Sequence, residues 1–317
     1  MSDISKVRET ADMPETVQTP QRSELLDSFL ESPITVVAAV VMALMILSAI
    51  FAGVIAPQDP YDMAALDIFA SDMPPAWIDG GSWSYPLGTD ALGRDVLSTI
   101  LYGSRMSIFI GFLSVALSAA LGITLGLVSG YLGGVIDTIV MRIADVQLSL
   151  PTILVALLIN GIVRAVAPGA MSDLAILVLI LSIGLSNWVQ FARAVRASTM
   201  VERGQEYVLA ARLIGIGRAR IMLRHILPNV LGPVFVIATL NLAGAILTEA
   251  TLSFLGVGVP STEPSLGTMI ETGADYLFSG SWWVTLFPGA ALALLVLSVN
   301  LVGDWLRDAI NPVLEGS

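Results

Sequence analysis

PITVVAAVVMALMILSAIFAGVIA, residues 33 to 56, decides the class of fold. No charged side chain interrupts it. A helix rises about 1.5 Å per residue, so a bilayer core about 30 Å thick takes roughly 20 apolar residues. This run is long enough to span with some tilt. Pro33 suits a first helical turn, and Pro57 closes the run. Composition extends the reading to the rest of the chain. Of 317 residues, 55% are hydrophobic and 13% charged, and the mean hydropathy is +0.82. Soluble globular chains carry about 25% charged residues, so the solvent for much of this chain is lipid.

Five further apolar stretches follow, at about 106–129, 139–163, 174–192, 230–255 and 284–303. Arg142 and Asp145 stand at the entrance of the third, and Pro151 is expected to kink it. The expected fold is an all-α polytopic membrane protein with about six transmembrane helices. Residues 1–32 read as a disordered cytoplasmic tail, 33–56 as the first span, and 57–104 as an acidic extracytoplasmic loop ending in a short amphipathic helix. Residues 105–305 form the core and 306–317 a cytoplasmic tail. The first residues lack the basic start and apolar stretch of a signal peptide.

Lys and Arg concentrate on the cytoplasmic side of membrane proteins. With the N-terminus inside, the inner segments hold Lys6, Arg8, Arg22, Arg142, Arg193, Arg196, Arg203, Arg212, Arg218, Arg220, Arg224 and Arg307. Only Arg94, Arg105 and Arg164 fall outside. The expectation is a multi-pass protein of the plasma membrane with both termini in the cytoplasm.

Several function classes drop out on composition. Cysteine is absent, which removes disulfides and thiolate metal sites, and a single histidine, His225, cannot make a His-rich metal site. A net charge of −11 disfavours a nucleic-acid partner. No Gly-x-x-x-x-Gly-Lys-Ser/Thr loop occurs, and the only lysine is Lys6, so the chain does not cradle ATP in that way. An intramembrane protease needs a nucleophile beside a buried base, and His225 lies in a polar segment.

That segment, about 198–229, contains EYVLAARLIGIGRARIMLRHILPN, Glu206 to Asn229. Good helix formers run from Glu206 to Ile214, and Gly215 and Gly217 supply a stop. A second helix fits Arg218 to Leu227, ended by Pro228. The expected result is a helix–turn–helix elbow between the fourth and fifth spans. Ala210 and Ala211 let another surface approach the backbone, and Arg212, Arg218, Arg220 and Arg224 ring the elbow with positive charge. It reads either as a docking knob or as interfacial helices touching anionic headgroups.

Other positions carry paired readings. Glu249, inside the fifth span, is a gate or substrate contact, or a bond to a neighbouring helix. Asn187 and Gln190 in the fourth span either line a pathway or bond between helices. Arg142 and Asp145 suggest an interfacial ion pair. Asp90 is expected to cap a helix with Arg94 one turn onward. Gly122 and Gly126 form a small-xxx-small pair for close helix packing.

Ala210, Ala211, Gly215, Leu227 and Pro228 have the spacing of the EAA loop, and the chain resembles the permeases of ABC importers. Leu209 stands where the family has glutamate, and His225 where many members have isoleucine. RHILPN from Arg224, LGTDALGRDVLSTILYGSR from Leu87, GYLGGVIDTIVMRIADV from Gly130, EATLSFLGVG from Glu249 and NLVGDWLRDAINP from Asn300 resemble the dipeptide, oligopeptide and nickel branch, and its second, C-type subunit. The likeness covers about 33–312. It implies the type I importer fold and a non-catalytic permease subunit carrying peptides or related solutes. It also implies a sister permease, an extracytoplasmic binding protein and two ATPase subunits that bind ATP and Mg. This chain itself would hold no cofactor and no metal. Glu206, Ala210, Ala211, Arg212, Gly215, Leu227 and Pro228 would seat in the ATPase. The competing reading from the residues is an ion-coupled secondary transporter, which needs paired intramembrane carboxylates or broken helices in symmetric positions.

Overall fold

The structure, a computed structural model, describes residues 28–62, 66–166, 171–260 and 263–310. Of the tails expected at 1–32 and 306–317, residues 1–27 and 311–317 lie outside the described residues. Ser28 to Glu31 already form a helical turn, and Phe29 packs edge-on against Trp305 with ring centroids 5.0 Å apart. Order therefore starts ahead of Pro33.

Helix α1 (Pro33–Ile50) is capped by Ser32, whose hydroxyl accepts from the Thr35 N–H, and α2 (Ala52–Ile55) continues it after a break at Phe51. Then come α3 (Val96–Leu132), α4 (Gly134–Leu148), α5 (Thr152–Val166) and α6 (Met171–Glu202). The elbow contributes α7 (Glu206–Leu213) and α8 (Arg218–Ile221). Last are α9 (Leu227–Phe254), α10 (Leu266–Tyr276) and α11 (Trp283–Ile310). Among the described residues no strand forms beyond an isolated bridge between Thr89 and Asp95. Among the described residues five helices are long and apolar enough to cross a membrane, with a sixth if the bent pair α4 and α5 is one span.

Several expected boundaries shift, each for a local reason. The third span is broken rather than kinked: α4 and α5 meet at 98°. Pro151 lacks the N–H that would reach the carbonyl of Gln147, and its ring would strike that carbonyl. The pair still runs from end to end. Asp137 pairs with Arg196 near the elbow, and Asn160 donates to the Val257 carbonyl at the opposite end (2.8 Å). The amphipathic stretch at 90–103 is no separate helix; from Val96 onward it belongs to α3. At 37 residues that helix is about 55 Å long, so it protrudes from a core of about 30 Å. Likewise α6 carries on through Arg193 and Arg196 to Glu202, and α11 reaches Ile310. The helix α10 has no counterpart in the apolar pattern. It starts where Ser265 and Thr268 cap each other's backbone N–H groups.

At the heart of the bundle, α3 and α6 touch backbone to backbone. A Cβ at Gly122 would stand 2.4 Å from the Phe191 Cβ, one at Gly126 2.5 Å from the Ala192 carbonyl oxygen, and one at Gly130 2.8 Å from that of Arg196. Ser118 donates to the Gly184 carbonyl across the same seam (2.8 Å). The expected small-residue pair is thus the centre of a longer stripe. Gly126→Ala should destabilise the protein by about 1–3 kcal/mol through overpacking. Gly244→Ala, with nothing within 4 Å of its new Cβ, should stay within about 0.5 kcal/mol. Thermal unfolding of both variants in detergent checks the pair.

Candidate functional site

The elbow is built as two short helices around a left-handed residue. Gly215 has φ +81°, a backbone conformation that a side chain makes costly. The N–H of Gly215 bonds the Arg212 carbonyl, and that of Ile216 bonds the Ala211 carbonyl, so the turn closes α7 tightly. Val208, Ala211, Ile221 and Ile226 form the buried side. Facing outward are Glu206, Ala210, Arg212 and Pro228, with Leu213 87% and Ile214 76% exposed. Leu227 is half-buried. Of the residues expected to form the docking knob, Ala211 therefore anchors it while Glu206, Ala210 and Arg212 lie on its surface.

Pro228 does not end the second helix. The backbone passes from α8 through a π turn, Met222–Ile226, directly into α9 with Pro228 in its first turn. The wide turn opens the ladder where the proline ring would otherwise meet a carbonyl. The elbow is hence continuous with the fifth span.

Three residues that the sequence reading passed over lock the elbow to the spans. Tyr207 donates to the Glu202 carboxylate at the end of α6, and Asn229 in α9 donates to the Tyr207 oxygen at 2.9 Å and to Glu202 at 3.3 Å. Burial and the neighbouring Glu202 push the Tyr207 hydroxyl above its ordinary pKa, which keeps it a donor. A phenol and an amide bracketing the arginine-rich run were the available signal. On the inner flank, Arg212 lies over the Tyr131 ring, 5.0 Å from its centroid, and Arg203 donates to the Tyr131 carbonyl (3.1 Å).

Within the spans, Gln190 and Asn187 part company. Gln190 is exposed on α6 and accepts from Asn241 of α9 (3.1 Å), whereas Asn187 donates to the carbonyl of Ile183 in its own helix (3.2 Å). Asn241 was missed although it is a polar residue inside an apolar run. An exposed amide pair between two spans is costly against lipid. Glu249 is fully buried and accepts from the Ser253 hydroxyl (2.8 Å), with Ser107 and Ser265 beside its carboxyl. Those neighbours come from α3 and from the cap of α10, so Glu249 sits where three elements meet, fully buried and with its Oε2 lacking a hydrogen-bond partner among the described residues.

At the opposite end of the bundle, Asp95 rather than Asp90 caps α3, accepting from the Ser98 N–H (2.8 Å) and hydroxyl (2.6 Å). Burial pushes the Asp95 carboxyl above its ordinary range. Asp90 folds a turn instead, accepting from the Leu92 and Arg94 N–H groups (both 2.9 Å) and from Arg94 Nε (2.7 Å). Trp283 of α11 donates to the Thr89 carbonyl (3.0 Å) and so clips this loop to the last span. Asp145 pairs with Arg193 of α6 (2.6 Å), not with Arg142. Among the described residues no group of carboxylates and imidazoles is placed to hold a metal ion.

Comparisons with known proteins agree with this architecture. Residues 122–316 match the family described as binding-protein-dependent transport system inner membrane component, and residues 21–75 match the N-terminal TM domain of oligopeptide transport permease C. The chain is 41% identical over 312 residues to the dipeptide transport system permease protein DppC of Escherichia coli K12, covering 98% of this chain and 100% of that one. It is 37% identical over 304 residues to the di/tripeptide transport system permease protein DppC of Pseudomonas aeruginosa, covering 96% of each. In fold it is similar to a chain of the inward-facing MetNI methionine ABC transporter. That match has a TM-score of 0.51 at 20% identity and covers 67% of this chain and 97% of the other. The ion-coupled alternative is thereby set aside. Spans, elbow and sequence relationship converge: this chain belongs to the family of inner membrane components, the permeases, of binding-protein-dependent ABC transport systems.

Proposed function

We propose that the chain is the second of two permease subunits in an ABC importer for peptides or related small solutes. An extracytoplasmic binding protein delivers the solute, and two ATPase subunits bind ATP with Mg and hydrolyse it. The permease itself catalyses nothing and holds no cofactor. The observation that carries this reading is the elbow: an exposed apolar tip at Leu213 and Ile214, turned by Gly215 and joined without a break to a span. Seated in an ATPase cleft, Glu206 and Ala210 would meet the partner, while Ala211, Gly215, Leu227 and Pro228 hold the shape and Arg212 turns back onto the Tyr131 ring.

The termini and the elbow would face the cytoplasm. Phe29 against Trp305 supports a common side for the two ends of the chain. In the pathway we place Gln190 with Asn241, because an exposed amide pair needs water, a sister subunit or passing solute rather than lipid. Asn187 stands beside them as a weaker candidate, and Glu249 takes a structural part.

Gly215→Val should abolish co-purification of the ATPase subunits while the chain still reaches the membrane. A β-branched residue at φ +81° costs about 1–2 kcal/mol or more, although nothing lies within 4 Å of its Cβ. Gly217→Ala, at φ −64°, should retain the ATPases. Recruitment by the valine variant would end the docking role.

Orientation is open to a clean test, since the chain has no native cysteine. With the permease expressed without its ATPases, Leu213→Cys should react with a membrane-impermeant maleimide only in inverted vesicles, and Ser84→Cys only in intact cells. The reverse pattern would overturn the topology. Glu249→Gln keeps a carbonyl oxygen for Ser253 and should leave uptake close to wild type. Glu249→Leu should destabilise the protein by about 1–3 kcal/mol by stranding the buried hydroxyl. A loss of uptake in the glutamine variant at normal stability would make Glu249 a gate.

A further inference from the structure

Between the elbow and the end of α3 lies a cavity of about 470 Å³. Arg203, Arg212 and Arg218 line it, together with Tyr131, Leu132 and Ile221. No carboxylate is among its lining residues. Among the described residues the ion pairs are Arg94–Asp90, Arg193–Asp145 and Arg196–Asp137, and none of the three lining arginines takes part in one. Asp137, whose field reaches Arg203, is held by Arg196 through both of its carboxylate oxygens. Three guanidinium groups around one hollow repel each other unless an anion joins them. Two are also held in place, Arg203 by the Tyr131 carbonyl and Arg212 by the Tyr131 ring. A site whose donors are fixed before the ligand arrives loses less freedom on binding it.

We propose that this cavity binds the phosphate of an anionic phospholipid headgroup, with Arg203, Arg212 and Arg218 as its donors. Guanidinium forks match phosphate oxygens in geometry as well as charge. Depth in the membrane selects a lipid over other anions. Tyr131 and Leu132 are the last residues of α3 and follow directly on its apolar run at about 106–129, which puts the pocket within reach of headgroups at the end of that run. An exposed apolar face starts at its rim. Leu132 is followed on α4 by Val135, Ile139 and Ile143, respectively 75%, 55% and 55% exposed. Acyl chains attached to a phosphate in the pocket would lie along that face. An acidic side chain from a docked ATPase would satisfy the arginines but would leave it uncovered. The inference concerns the flank of the elbow turned toward the bundle and does not rest on the docking role of its tip.

The test uses the purified transporter complex in detergent, titrated with short-chain phosphatidylglycerol, short-chain phosphatidylcholine or sodium phosphate, with bound lipid counted by native mass spectrometry. Phosphatidylglycerol should be retained, phosphatidylcholine should not displace it, and free phosphate at equal concentration should not compete. Arg218→Gln and Arg203→Gln should each weaken retention about tenfold, the loss of one charge-assisted hydrogen bond. Arg307→Gln, at the end of α11, should leave it unchanged. Arg218→Gln is the decisive variant, because Arg203 also holds the Tyr131 carbonyl. ATPase co-purification, measured on the same samples, separates failure of the lipid site from failure of the elbow. Equal retention in the Arg218 variant would overturn the proposal. Displacement by free phosphate would reassign the pocket to a soluble anion. Retention by the permease alone that vanishes on ATPase assembly would hand the arginines to an acidic side chain of that partner.

Discussion

Everything else in the bundle is arranged around the backbone contact between α3 and α6. In lipid there is little hydrophobic force between helices, so close packing and interhelical hydrogen bonds must hold them together. The glycine stripe 122, 126 and 130 supplies both the approach and the length of the seam, and Ser118 adds a hydrogen bond to the Gly184 carbonyl. The seam's reach toward the elbow matters most. Gly130 lies against Arg196 and Thr199, and the next residue, Tyr131, receives Arg203 and Arg212. The elbow is therefore fastened on one side to the closely packed seam of the bundle.

Its other side is fastened to a different element. Through the π turn and Pro228 the elbow becomes α9, and Asn229 returns to bond Tyr207 and Glu202. A body gripped at its tip would thus act on α9 directly and on α3 and α6 through Tyr131. π turns inside helices often mark points where the ladder adapts. The one here sits where α8 meets a span.

Much of this was readable because apolar length and glycine spacing are local properties. The first, fifth and sixth spans, the glycine pair and the left-handed turn at Gly215 all follow from residue types within one segment. Proline was misread twice, in opposite senses. At Pro151 the helix breaks outright and turns by 98°, while at Pro228 it continues through a π turn. The residue type is the same; what differs is the backbone ahead of it, a π turn before Pro228 and a sharp turn before Pro151. Ion pairing failed in the same way. Asp145 had Arg142 one turn away in sequence, yet the bundle brings Arg193 to it from α6. Helix α10 escaped because it starts with a Ser–Thr cap in a short segment and carries no long apolar run.

Polar residues inside the spans divide by what surrounds them, and residue type alone could not divide them. A carboxyl in hydrocarbon is costly unless its oxygens find donors. Glu249 meets that demand with one oxygen only, which accepts from the Ser253 hydroxyl of its own helix, while its Oε2 is buried without a hydrogen-bond partner among the described residues. Gln190 is at the other extreme: one amide partner, Asn241, and open surface on α6. Burial favours the structural part for Glu249, because a group that must meet a passing solute has to lie where the solute can reach it, and Gln190 does so while the carboxyl does not.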